Sequence, residues 1–216
     1  MTKPAHSKAE ILGEYGPFPG IDRVGGVTYD GHQVWIAAGD KLAAIDPASG
    51  QIERSLPVAA HAGTAYDGTH LFQIAEDRIH KIDPATGDIL ASIPAPGGGT
   101  DSGLAWAEGS LWVGQYRARK IHQIDPETGA ILRTIESNRF VTGVSWVDGD
   151  LWHGTWEAEE AEEAELRRID PSTGAILEQI ELPPGIGVSG LEADGGQRFF
   201  CGGGASGKVR VVRRPI

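Results

Sequence analysis

The sequence predicts an all-β fold built from five repeats of one four-stranded unit, and three observations carry that prediction. A short turn recurs as IDPASGQIE from Ile45, IDPATGDIL from Ile82, IDPETGAIL from Ile124 and IDPSTGAIL from Ile169. A second repeated pair precedes each turn: GVTYDGHQVWIA, GTAYDGTHLFQI, GLAWAEGSLWVG and GVSWVDGDLWHG. The glycines that open these pairs, Gly26, Gly63, Gly103 and Gly143, are followed by Gly190 in the degenerate GLEADGGQRFFCGG, giving spacings of 37, 40, 40 and 47 residues. Four strands at such a period is the pattern of a β-propeller, so the expected architecture is five-bladed.

Each element has a local reason. The first two strands of a unit flank an Asp-Gly or Glu-Gly turn, the strongest short-range hairpin signal. The third and fourth are short apolar runs, such as KIHQI and AILRTI, on either side of the Asp-Pro turn. In that turn the Asp carboxylate accepts from a backbone N–H two residues on, Pro presets φ and Gly takes the positive-φ position. The fifth repeat ends at KVRVVRRPI without an Asp-Pro turn or an outer strand, and the N-terminal AEILGEYG resembles the missing piece. Glu10 to Tyr15 is therefore expected beside Val209 to Val212, closing the ring and leaving no open half-blade. Residues 1–216 form one domain in this reading, because the repeats leave no linker.

What all blades share reads as architecture. Trp35, Phe72, Trp112, Trp152 and Phe200 hold one equivalent place on the second strand and are expected to fill the space between sheets. Tyr29, Tyr66, Trp106 and Trp146, one residue before their turns, read the same way.

Composition narrows the partners. A net charge of -11 argues against a nucleic-acid backbone or an anionic membrane, since both require clustered Lys and Arg. The single cysteine, Cys201, forbids an internal disulfide and fits a reducing compartment, and MTKPAHSKAE has no apolar stretch, so a cytoplasmic protein is expected. Read as a nucleophile, Cys201 competes with its simpler role as a small buried hydrophobe.

What one blade alone carries points to function. The crossovers between blades and the turns joining second and third strands are expected around one channel mouth, the default place for a small-molecule ligand. They offer Asp22, Arg23, His61, Asp101, Ser102, Asn138, Arg139, Thr142, Gln115, Tyr116 and Trp156. His153 stands where the other blades have Ile36, Gln73, Val113 and Cys201, which nominates it as a general base, with His61 as the second candidate. Arg23, Asp101, Gln115, Tyr116, Arg139 and Trp156 are the expected substrate contacts. No His-x-His or Cys-x-x-Cys spacing provides a metal site, although Asp22 and Asp101 could hold a divalent cation through oxygen. The acidic insertion EAEEAEEAEL, 157–166, reads as a solvated lid on the same face, or as a cover favouring a cationic ligand or basic partner.

With five blades, the YDG corners and the IDPATGDIL hairpins, the chain resembles the glutaminyl cyclotransferase family of plant and bacterial type, and more loosely the streptogramin B lyases. The resemblance implies a cyclase or lyase acting on a small molecule at the mouth. That family uses a glutamate within a Tyr-Glu-Ser-Thr-Gly stretch, and here the matching segment is VWIAAG, with Ile36 in the glutamate's place. Its Phe-Thr-Gln-Gly-Leu opening has RVGGVTY as its nearest text. Two functions follow as expectations: an enzyme of lyase or cyclase type with a histidine base, or a non-catalytic propeller binding a small molecule or a basic peptide or protein.

Overall fold

A computed structural model describes residues 4–157 and 163–215. Its strands form five sheets arranged as propeller blades. Blade one comprises Gly26–Tyr29, Val34–Ala37, Leu42–Ile45 and Ile52–Leu56; blade two Thr64–Tyr66, Leu71–Ala75, Arg78–Ile82 and Ile89–Pro94. Blade three comprises Asp101–Ala107, Ser110–Gln115, Lys120–Ile124 and Ile131–Glu136; blade four Phe140–Val147, Asp150–Glu157, Glu163–Ile169 and Ile176–Glu181. Blade five takes Gly190–Ala193, Arg198–Gly202 and Val209–Arg213 from the C-terminal part and Ile11–Tyr15 from the N-terminal part. No helix is long and apolar enough to cross a membrane among the described residues.

The ring closes as the repeat pattern predicts. Ile11 pairs with Val212, Glu14 with Arg210 and Tyr15 with Val209, antiparallel. Glu14 also receives Arg210 Nε at 2.7 Å and Lys208 Nζ at 2.8 Å, and Glu10 receives Arg213 Nε at 2.6 Å. One strand was not anticipated: Ala5–Lys8 runs parallel to the outer strand of blade four, so that sheet has five strands. Its four residues are all exposed. The short polar run AHSK has no apolar alternation to signal a strand.

The turns behave as their chemistry requires. Asp46 Oδ1 accepts from Ala48 N at 2.9 Å, and Asp125 and Asp170 repeat the bond with Glu127 and Ser172 at 2.9 and 2.7 Å. Gly50 takes φ +72° at the turn's last corner, a backbone region that an L side chain resists.

The core lies between blades, not within them. Trp35, Phe72, Trp112, Trp152 and Phe200 are buried, each against a neighbouring sheet. Trp106 of blade three stacks on Phe72 of blade two at 5.4 Å, Trp146 of blade four on Trp112 of blade three at 5.5 Å, and Tyr29 of blade one meets Phe200 of blade five at 5.6 Å. A cationic side chain caps four of the fillers, for example Arg54 over Trp35 and Arg133 over Trp112.

The glycines that open the repeats have a common cause. A Cβ on Gly26 would strike the backbone of Ala62 and Gly63; on Gly63, that of Gly103 and Leu104; on Gly103, that of Thr142 and Val144. On Gly143 it would strike Gly190 and Leu191, and on Gly190 it would strike Gly26 and Val27, which completes the circle. The five inner strands thus approach backbone to backbone in a ring around the channel. On one side of this neck lie the crossovers, and on the other the rest of the inner strands.

Candidate functional site

Above the glycine neck the crossovers form a cavity of about 350 Å³, lined by residues from all five blade junctions. Six of the residues expected at the mouth line it together: Arg23, His61, Asp101, Ser102, Tyr116 and Thr142. Two positions before the neck glycine the five junctions carry Val24, His61, Asp101, Val141 and Val188. Three valines and two chemically active side chains at one repeated position single out the junctions leading into blades two and three.

Asp101 is held by its own loop. Both carboxylate oxygens accept from Gly97 N, at 2.9 and 3.0 Å, and Gln115 Nε2 approaches Oδ1 at 3.4 Å. Burial raises its pKa above the ordinary Asp value, and these hydrogen bonds only partly offset the effect. Gln115 is itself buried and does not line the cavity, so it touches Asp101 without forming part of the wall. His61 is exposed, and its Nδ1 accepts the Glu76 N–H at 3.2 Å. That bond leaves the neutral ring's proton on Nε2, which makes the free nitrogen a donor. Tyr116 stacks on Phe140 at 4.8 Å, and burial raises its phenol pKa.

The hydroxyls around the mouth divide into two kinds. Ser102 Oγ donates within reach of Gly114 O and Val141 O, and Ser189 Oγ bonds Val24 O and receives Gly204 N at 3.0 Å. These tie neighbouring junctions together. Thr142 lines the cavity, is 7% exposed, and its Oγ1 is buried without a protein partner among the described residues. A buried hydroxyl left unpaired is costly, so a ligand atom there would gain a hydrogen bond at little further desolvation.

Other expected residues stand elsewhere. His153 is not at the mouth: it is 1% exposed and sits between blades three and four, beside Ile121, Ile135 and Arg167. Its Nδ1 donates to Gly154 O at 3.1 Å, and burial pushes its pKa down to about 4. The expectation of an accessible His153 fails because that strand position faces the adjacent blade in every repeat. Arg139 pairs with Glu163 at 3.6 Å and Glu165 at 3.5 Å, and it lines neither the cavity nor its neighbouring groove. Trp156 lines that groove with Arg23. The ends of the acidic insertion are strand, Glu157 pairing with Glu163, and residues 158–162 of the expected lid lie outside the described residues. Cys201 is buried and its thiol pKa is pushed up to about 12, which leaves it no thiolate. Among the described residues no three His, Cys, Asp or Glu side chains gather as a metal site.

Sequence reasoning missed Glu192. Two positions past the neck glycine the inner strands carry Thr28, Ala65, Ala105, Ser145 and Glu192, so one carboxyl enters a ring of small residues. Comparing that position across blades would have found it. Its oxygens accept from Thr28 Oγ1 at 2.9 Å and Ser145 Oγ at 2.7 Å, which belong to the blades on either side, and from Ala193 N at 2.9 Å. Burial outweighs these bonds and raises its pKa to about 7.

No family model and no curated protein matches the sequence. Among solved structures, the glutaminyl cyclase of Myxococcus xanthus superposes with a TM-score of 0.79 over 98% of both chains at 18% identity. The chain carries the fold of a glutaminyl cyclase. Hydrazine synthase of Kuenenia stuttgartiensis gives a TM-score of 0.54 at 17% identity over 84% of this chain and 55% of that one. A chain of a mitotic checkpoint complex gives 0.53 at 14% identity, over 88% of this chain and 63% of that one. At such identities the glutaminyl cyclase likeness speaks for the arrangement of blades, and the cavity's own residues must speak for its chemistry.

Proposed function

We propose that the chain is a small-molecule enzyme of cyclase or lyase type, with the crossover cavity as its active site, Asp101 as the general base and His61 as hydrogen-bond donor. The observation that carries this reading is the pairing of a carboxyl whose pKa burial has raised with an exposed imidazole whose tautomer Glu76 N fixes, both lining one cavity. A carboxylate of raised pKa is a stronger base, and here it remains accessible to a ligand. Asp101 would take a proton from an N–H or an activated C–H of the substrate. His61 Nε2–H and Tyr116 O–H would donate to the carbonyl oxygen that gains charge as the ring closes or the bond breaks. The same carboxyl then returns the proton to the leaving group. The likeness to a glutaminyl cyclase supports this class of reaction at the coarse level.

The test is a panel of small amides, esters and lactones incubated with the purified protein, with products followed by mass spectrometry. Turnover that Asp101→Asn abolishes while the variant keeps its thermal midpoint supports the reading. Turnover unchanged in Asp101→Asn overturns it, and ligand binding with no product from any member of the panel favours the non-catalytic alternative.

A further inference from the structure

Next to the cavity runs a groove of about 400 Å³ that shares Arg23, Val188 and Ser189 with it, so the two are continuous. Two guanidinium groups face this groove, Arg23 and Arg210, and no Asp or Glu lines it among the described residues. In a chain of net charge -11 such a concavity is an electrostatic exception. Arg23 is exposed and forms no ion pair with a described residue, and Asp22, its neighbour in sequence, does not line the groove. Arg210 is 8% exposed and is fixed from behind through Nε by Glu14 at 2.7 Å. Its terminal nitrogens are left to point forward: a Cβ on Gly203, in the groove wall, would lie 2.8 Å from Nη1. Trp156 adds an apolar wall, packed over Gly187.

We propose that this groove is an anion subsite, which binds a carboxylate or phosphate carried by the molecule that occupies the crossover cavity. Planar guanidinium forks match either oxyanion, and a preorganised, nearly buried arginine loses little freedom on binding. The ligand class is therefore an anionic small molecule long enough to span both spaces, its neutral reacting end beside Asp101 and its charged end between Arg23 and Arg210. This assignment rests on the cavity being the active site only for the direction of the ligand, and the charge preference stands on the groove alone.

The experiment uses the full chain with inorganic phosphate, glutarate and its uncharged counterpart glutaramide at constant ionic strength, read by thermal midpoint and titration calorimetry. Phosphate or glutarate should stabilise the protein while glutaramide does not, and the tighter of the two anions identifies the group recognised. Arg23→Gln and Ala205→Glu, both at exposed positions, should weaken that binding by about tenfold or more, whereas Arg117→Gln, elsewhere on the same face, should leave it unchanged. Anion binding equal in wild type and both groove variants, binding of glutaramide as tight as glutarate, or no binding of either anion at millimolar concentration overturns the subsite. The two proposals fail separately. In the wild-type chain, anion binding without turnover of any member of the panel removes only the enzymatic reading, and turnover without anion binding removes only the subsite; Asp101→Asn should abolish turnover and keep anion binding.

Discussion

Ser145 of blade four donates its hydroxyl proton to Glu192 of blade five at 2.7 Å, just beyond the glycine neck. With Thr28 of blade one on the other carboxylate oxygen, the carboxyl joins three consecutive inner strands. Its pKa, raised by burial from 4.5 to about 7, means that the folded chain holds a proton there that the unfolded chain has already released. The stabilising effect is complete below about pH 4.5 and is lost as pH rises through about 7, amounting to about 3 kcal/mol at most. Glu192→Gln keeps the shape and lets the Thr28 hydroxyl turn to accept. Its stability relative to wild type should rise between those pH values, as measured by urea unfolding, and a difference independent of pH would refute the buried carboxyl.

His153 should show the opposite slope. Its pKa is lowered from 6.5 to about 4, so the unfolded chain binds a proton that the folded chain refuses. Stability is full above 6.5 and is lost as pH falls toward 4, again by about 3 kcal/mol at most. Blade one has Ile at this position, so His153→Ile should fold, cost within about 1 kcal/mol at neutral pH and flatten the acid limb. Trp152→Ala, by contrast, should cost roughly 3–5 kcal/mol, as the truncation of a buried aromatic. An acid limb that His153→Ile leaves unchanged would place the protonation elsewhere.

The glycine neck gives a sharper contrast. Gly103→Ala would drive a methyl into the Thr142 and Val144 backbone, where no rotamer can relieve the overlap, and it should cost several kcal/mol or abolish folding. Gly13→Ala meets nothing within 4 Å and should be neutral or stabilise by a few tenths of a kcal/mol, because it restricts the unfolded chain. Thermal midpoints of the two variants check this directly. Equal midpoints would mean that the blades are not so closely apposed.

Much of this was legible because a repeat carries its own comparison. Blade number, turn chemistry and the closing strand follow from residues that recur, and the interblade aromatics follow from their size. The site was legible only where the comparison was read in full. His153 is a lone histidine, but three of its four equivalents, Ile36, Val113 and Cys201, are apolar and the fourth, Gln73, is uncharged, and that pattern already marked the position as interior. His61 and Asp101 stand against three buried valines, a contrast that marks two junctions put to another use. Arg210 was hidden for a different reason. Its reach into the groove depends on Glu14, almost two hundred residues away, and on Gly203, a pairing that no local pattern encodes.

Ile36 carries the clearest negative prediction. It is fully buried in blade one and has no proton to give or take, so the place where the resemblance to glutaminyl cyclotransferases leads one to expect a glutamate holds no acid or base. A glutamine-initiated peptide incubated with the protein should form pyroglutamate no faster than with a heat-inactivated control, followed by released ammonia. A clear excess would show that Asp101 or another group accepts this substrate after all.

The N-terminal segment holds two strands of unequal worth, and truncation should separate them. Ala5–Lys8 lies on the outer edge of blade four with every residue exposed, so it buries little and contributes little beyond its backbone bonds. Deleting residues 1–8 should move the thermal midpoint by no more than a few degrees. Ile11–Tyr15 is the outer strand of blade five; it packs Ile11 and Tyr15 against the core and supplies Glu14 to Arg210, while Glu10, just before it, pairs with Arg213. Removing residues 1–16 leaves Val209–Arg213 as a bare edge and unpairs the nearly buried Arg210, a loss expected to reach several kcal/mol and to lower the midpoint by on the order of 10 °C. Because the ring transmits strain through every interblade face, the fall should appear as one cooperative transition at a lower temperature. A truncated chain that melts like the full-length protein, or that loses only a small separate phase, would show that blade five does not depend on this strand and that the ring is closed by other means.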